Sequence, residues 1–331
     1  MIFRSHFFKF LAAALALAPF AAQGGNGVYY WRTVFAPDEA ELAFLATHNI
    51  TNIHVRFFDV AKSPNATRPA PVATIEFSAP VPSGITVVPT VFIDNELFKQ
   101  CDMLPFADKI AGRVLAMCET RDIAGVSEIQ IDCDWTGSTQ ALFFAFMARM
   151  RGLLAEHGIH LSATIRLHQL RLPPPPADRG VLMCYNTGGV RNPGEENSIL
   201  RASHVKPYAK NAASYALPLD IAYPAFSWAA WFCREDHFMG LLRGVQRGNP
   251  NLEPTDEPSV FRVRTTFEAE DRVIQRGAML RFEEAEFDEI IASKHLLDAA
   301  IKPASIIIYH LDSEKLSRFA EDEIKEIYEK F

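Results

Sequence analysis

The chain has 331 residues, 49% of them hydrophobic and 22% charged, the balance of a globular protein with a sizeable core and not of a disordered one. Its net charge of -7 argues against a nucleic-acid partner, because phosphate binding calls for a basic surface. The same charge makes an acidic polymer a less expected substrate, unless a basic cleft exists locally.

Taken in chain order, residues 1–24 place Arg4 and Lys9 before an apolar run over 10–18, followed by small residues at Ala22 and Gly24. This is the build of a signal peptide, with an apolar part too short to span a membrane. The mature chain is expected to begin near Gly25, to be secreted or periplasmic, and to carry no transmembrane segment. No cysteine lies near the cleavage region to take a lipid anchor.

Eight strand-like runs follow, at 28–35, 52–60, 85–94, 128–135, 160–168, 180–188, 219–228 and 304–312. Helical patterns separate several of them: PDEAELAFLATHN, PFADKIAGRVLAMCETRD, STQALFFAFMARMRGLLAEHG and EFDEIIASKHLLDAAI. Eight strands alternating with helices over about 300 residues fit a (β/α)8 TIM barrel better than an open doubly wound sheet. No Gly-rich phosphate loop follows the first strand, which weighs against a nucleotide fold. The stretch 234–287 is too long for one connection and is expected to be an insertion between strands seven and eight, within a single barrel domain over 25–331.

The five cysteines, Cys101, Cys118, Cys133, Cys184 and Cys233, form no close metal-type pair, and no calcium-loop spacing is present. No metal and no cofactor are expected. Cys101 with Cys118 is the most plausible disulfide, whereas Cys133 and Cys184 sit inside strand patterns as buried thiols.

In a barrel of this kind the active site lies where the C-terminal ends of the strands meet. Those ends carry Arg32, Arg56 and Asp59, the pair Asp132 and Asp134, Arg166 with His168, Tyr185 and Asn186, Trp228, and His310 with Asp312. The pair is the most specific signal. Strand alternation puts Gln130, Asp132 and Asp134 on one face and Ile129, Ile131 and Cys133 on the other. Two crowded carboxylates raise the proton affinity of one of them, which is what a general acid needs for glycoside hydrolysis. The plainer alternative is that one aspartate caps the helix near Ser138 while the other pairs with Arg56 or Arg166. Flat rings at strand ends suit sugar faces, and Trp135 and Trp228 are the preferred candidates among them.

EIQIDCDW, taken with VLMCYNTG some fifty residues later, resembles the chitinase-like, family 18 type glycoside hydrolase barrels. It is similar too to a group of secreted bacterial glycoside hydrolase-like proteins that share the D-x-D strand, an apolar and Arg-rich helix after it, and a strand-six Met-x-Tyr. Chitinase-like enzymes end their fourth strand in D-x-x-D-x-D-x-E, with the glutamate as acid, and carry M-x-Y-[DN] on strand six. Asp132 and Asp134 match the later two aspartates, and Met183, Tyr185 and Asn186 match the strand-six motif. The glutamate position is Thr136 and the first aspartate position is Ile129.

The resemblance implies a secreted glycoside hydrolase-like protein acting on a polysaccharide or glycan. Asp134 would be the acid, Asp132 its partner or base and Tyr185 a hydrogen-bond donor at the reacting centre. The substrate would be bound by Arg32, Arg56, Asp59, Trp135, Arg166, Asn186, Trp228, His310 and Asp312. With Thr136 at the acid position, the alternatives are a non-catalytic carbohydrate-binding TIM barrel and a surface scaffold whose insertion binds a protein partner.

Overall fold

Eight parallel strands close into a ring in the computed structural model, which describes residues 24–62 and 68–330. The leader expected over 1–24 lies, but for Gly24, outside the described residues. In order around the ring the strands are Asn26–Tyr30, Ile50–Ala61, Thr86–Ile93, Glu128–Asp132, His160–Arg166, Arg179–Met183, Leu219–Pro224 and Ile306–Tyr309, and the last pairs with the first. The barrel is the expected (β/α)8 TIM barrel, with two irregular connections. Among the described residues no helix links the second strand to the third, where short strands at Ala70–Val72 and Glu76–Phe77 stand instead, and only the 3-10 helix Leu167–Arg171 links the fifth to the sixth.

The fourth strand shows why alternate residues differ in kind. Gln130 accepts a hydrogen bond from the Tyr29 hydroxyl at 2.7 Å, across the ring from the first strand, so both fill the interior. Ile129 and Ile131 are fully buried on the opposite face. That face meets the helix Gln140–Ala155, which buries Phe143, Phe146, Met147, Met150 and Leu154, a stripe at helical spacing. The first helix, Glu39–Thr47, starts at Asp38 with a capping box in which Asp38 accepts from the Glu41 amide at 2.8 Å and Glu41 from the Asp38 amide at 3.1 Å.

The additional sheet begins sooner than the expected 234. The run 219–228 breaks after Pro224, and Ser227–Phe232 is already the first strand of a five-stranded antiparallel sheet. Its order is Phe238–Leu242, Ser227–Phe232, Met279–Glu284, Val260–Val263 and Leu252–Pro254, around a separate small core that includes Trp231, Leu242, Val263 and Leu280. Arg281, 1% exposed, fastens this sheet to the barrel. It donates to Glu283 Oε1 at 2.6 Å, to the Asn192 and Pro193 carbonyls at 2.5 and 3.0 Å, and to the Val190 carbonyl at 3.1 Å.

All five cysteines are free, so the expected Cys101–Cys118 bridge is not made. Cys118 is buried on the core face of the helix Leu104–Thr120, whereas the Cys101 thiol points to the Leu97 carbonyl at 3.4 Å and the Met103 sulfur at 3.7 Å. Cys133 and Cys184 are buried thiols, as read from the strand patterns.

Removing one partner of a buried, fully bonded ion pair strands the other. Arg281→Met is therefore expected to lower unfolding free energy by about 3–5 kcal/mol in a denaturant titration, and Arg281→Met combined with Glu283→Leu to recover part of it.

Candidate functional site

A cleft of about 1220 Å³ opens over the C-terminal ends of the barrel strands, walled on one side by the additional sheet. Of the residues expected there, Arg56, Asp134, Arg166, His168, Asn186, Trp228, His310 and Asp312 line it. Trp31, Thr136, Arg243, Tyr309 and Lys315 line it as well.

Asp132 and Asp134 occupy unlike places. Asp132, the last residue of its strand, is buried and accepts a hydrogen bond from the Thr164 hydroxyl at 2.7 Å. Burial first, and then the charge of Asp134, raise its carboxyl to about 6, against the pull of Thr164 and Arg166. Asp134 lies beyond the strand with its side chain 48% exposed, and Arg166 grips it through Nε at 2.5 Å and Nη2 at 3.1 Å. Of the plainer alternatives, the Arg166 pairing is the one realised. The helix end takes no aspartate: Thr139 Oγ1 accepts from the Thr136 amide at 3.0 Å and donates to Asn95 Oδ1 at 2.7 Å. Burial weighs against the Arg166 charge, but Asp134 more than offsets it, so the guanidinium holds its proton more firmly than usual.

Tyr185 is buried beneath the cleft and does not line it, its ring 4.7 Å from that of Tyr309. Its hydroxyl has no hydrogen-bond partner among the described residues, and burial, then the neighbouring Tyr29 and Tyr309, raise its proton affinity further. Trp135 is not a cleft residue. The chain turns after the strand, with the Trp135 amide donating to the Cys133 carbonyl at 2.9 Å, and the indole is fully buried against Phe143 and Phe144 of the helix that follows.

Arg32 and Asp59 also lie outside the lining, as partners of other groups. Arg32 binds the buried Glu41 at 2.5 Å and the Leu311 carbonyl at 3.3 Å, with Asp312 3.8 Å away. Asp59 takes the Arg56 guanidinium in two hydrogen bonds, one of 2.7 Å. Asp312 caps the short helix Ser313–Leu316 by accepting from the Lys315 amide at 3.1 Å.

Trp228 is held by the additional sheet: its Nε1 donates to Glu283 Oε2 at 3.0 Å, and the same oxygen accepts from the Ser198 amide at 2.9 Å. Tyr309 stands at the end of the eighth strand, where the strand-end rule could have found it, whereas Arg243 follows the strand Phe238–Leu242 with no periodicity to mark it. Among the described residues no group of three or more His, Cys, Asp or Glu side chains is placed to hold a metal ion. No helix among them is long and apolar enough to cross a membrane.

No family model and no curated protein matches this sequence. Solved structures match the fold. The chitinase of Chromobacterium violaceum ATCC 12472 superposes with a TM-score of 0.55 at 12% identity, covering 93% of this chain and 100% of its own. The spore cortex-lytic enzyme SleL of Bacillus cereus gives 0.54 at 14% identity, over 93% of this chain and 75% of its own. The Group IV chitinase of Ostrinia furnacalis, in complex with allosamidin, gives 0.53 at 7% identity over 92% and 97%. The chain shares the barrel fold of these glycoside hydrolases.

The proton on Asp132 sets a pH dependence. A carboxyl raised from 3.8 to about 6 in the folded state binds more protons there than in the unfolded chain, so it penalises folding increasingly from about pH 4 to pH 6 and fully above. Asp132→Asn removes that penalty. Its stability relative to the wild type, read from denaturant midpoints, is expected to improve by roughly 2–3 kcal/mol between pH 4 and pH 7.5; an unchanging difference would show that Asp132 is not shifted.

Proposed function

We propose that the protein is an exported carbohydrate-binding barrel, built on the glycoside hydrolase fold, whose cleft takes a glycan without cleaving it. The observation that carries this reading is the setting of Asp134: it is the one cleft carboxylate that matches the chitinase-like motif, and hydrogen bonds from Arg166 engage both of its oxygens. A carboxylate gripped in this way is committed to its protein partner and not to a ligand. The acid position two residues on is Thr136, whose hydroxyl is far too weak an acid to protonate a leaving group. What remains suits recognition. Trp228 and Trp31, the latter with the Arg56 guanidinium 5.7 Å from its ring centre, line the cleft with Asn186 and His310, and its volume of about 1220 Å³ has room for a sugar chain. The leader-like first residues support export.

Hydrolysis is the second reading, and a specific observation favours it. Asp132 keeps a proton to about pH 6 directly beside Asp134, which is the electrostatic arrangement that acid catalysis by a carboxylate pair requires. Its burial works against this role, because a general acid must reach the leaving oxygen.

Binding and product release by the purified mature chain, measured on a panel of complex glycans, separate the two. We expect saturable binding with no released sugar, and a loss of affinity of about tenfold or more in Trp228→Ala. Turnover that vanishes in Asp134→Asn or Asp132→Asn would establish the hydrolase instead.

A further inference from the structure

The Arg and Lys side chains that line the cleft are not equally engaged. Arg56 is bound by Asp59, Arg166 by Asp134, and Lys315 lies 3.7 Å from Glu314. Arg243 is exposed, and none of the described carboxylates pairs with its guanidinium. The obvious candidate, Glu270, is occupied otherwise: its Oε1 accepts from the backbone amides of Arg243 and Gly244 at 2.5 and 2.6 Å. That arrangement fixes the backbone at the end of the strand Phe238–Leu242 and leaves the cation at the cleft without a counter-ion.

Its surroundings can hold an anion. The charge of Arg243 is felt at Tyr309 and His310 on the same cleft. Burial above all keeps the His310 imidazole neutral, with Asp312 pulling the other way, and its buried Nδ1 has no partner among the described residues. The cleft carboxylates Asp134, Asp312 and Glu314 are taken up by Arg166, by a helix cap with Arg32 3.8 Å away, and by Lys315 at 3.7 Å. Trp31 and Trp228 line the same cleft as Arg243.

We infer that the cleft takes an oligosaccharide bearing a carboxylate, with Arg243 as its counter-ion and the Trp31 and Trp228 rings against the sugar faces, a specificity that rests on the carbohydrate reading above. The carboxylate belongs either to a uronic acid or to a lactyl ether on an amino sugar; the chemistry at Arg243 is the same. A neutral sugar leaves Arg243 hydrated and gains nothing from it. The preference is then the worth of one charge-assisted contact at a partly exposed site, about tenfold in affinity. Local charge thus reverses the expectation drawn from the net charge of -7.

The test is calorimetric titration of the mature full chain with two matched pairs: tetragalacturonate against its methyl ester, and the N-acetylglucosamine–N-acetylmuramic acid disaccharide against N,N′-diacetylchitobiose. We expect the acidic member of at least one pair to bind about tenfold tighter than its neutral twin, with the pair that discriminates naming the source of the carboxylate. Arg243→Gln should erase the difference and Arg243→Lys restore part of it, with thermal midpoints unchanged because the side chain is exposed. Equal binding of both twins in both pairs would overturn the inference and leave the carbohydrate reading standing. A preference that survives Arg243→Gln would overturn the assignment to Arg243, and no binding of any of the four sugars would overturn both readings.

Discussion

The cleft depends on one buried ion pair. Arg281 is almost wholly out of water, and its burial is tolerable because Glu283 and three backbone carbonyls of the segment 190–193 take up its donors. Those carbonyls belong to the loop after the sixth barrel strand, while Arg281 and Glu283 belong to the additional sheet, so one guanidinium joins the two. Glu283 extends the link with its second oxygen, which accepts from Ser198 on the loop and from the indole of Trp228 on the sheet. A charged pair is a demanding fastener. It is satisfied only when sheet and loop meet in one geometry, and that geometry points Trp228 into the cleft.

This coupling gives the insertion its place in the site. The sheet has its own small core, separate from that of the barrel. It is nevertheless rooted at Ser227, directly after the seventh barrel strand has ended at Pro224 and turned at Ala225 and Phe226, and Arg243 directly follows its edge strand Phe238–Leu242. Two of the groups that recognition relies on, a ring face and a cation, therefore come from outside the eight-stranded ring. A barrel alone would present Trp31, Asp134, Arg166 and Tyr309 at an open mouth; the sheet supplies the opposing wall.

How much of this was legible in the sequence varies with what each signal encodes. The barrel was legible because apolar strand runs and amphipathic stripes such as Phe143, Phe146, Met147 and Met150 are direct consequences of packing helices on strands. The position of the mouth was legible too, since polar residues cluster at strand ends. Depth was not. Alternation places Asp132 and Asp134 on one face only while the chain remains extended, and the strand ends at Asp132, so one carboxylate stays inside and the other emerges. The same turn carries Trp135 under the helix instead of onto the cleft. Glu283 and Arg281 carry alternating charges that look solvent-facing in the sequence, and only the tertiary docking of the sheet buries them.

The two aspartates also bear on Thr136, which stands at the acid position of the motif that this sequence resembles. Two carboxylates that feel each other's charge raise one proton affinity, and a proton on one or a cation beside the other eases their coexistence near neutral pH. Here both devices operate: Asp132 holds its proton to about 6, and Arg166 neutralises Asp134. The pair is thus balanced within itself, with no third carboxylate required to complete it. A glutamate at position 136 would bring another negative charge to the same strand end, whereas Thr136 adds none and lines the cleft with a neutral hydroxyl. A cleft whose own acids are already compensated does not repel an anionic ligand, and the cation left over, Arg243, is on the wall that the additional sheet brings.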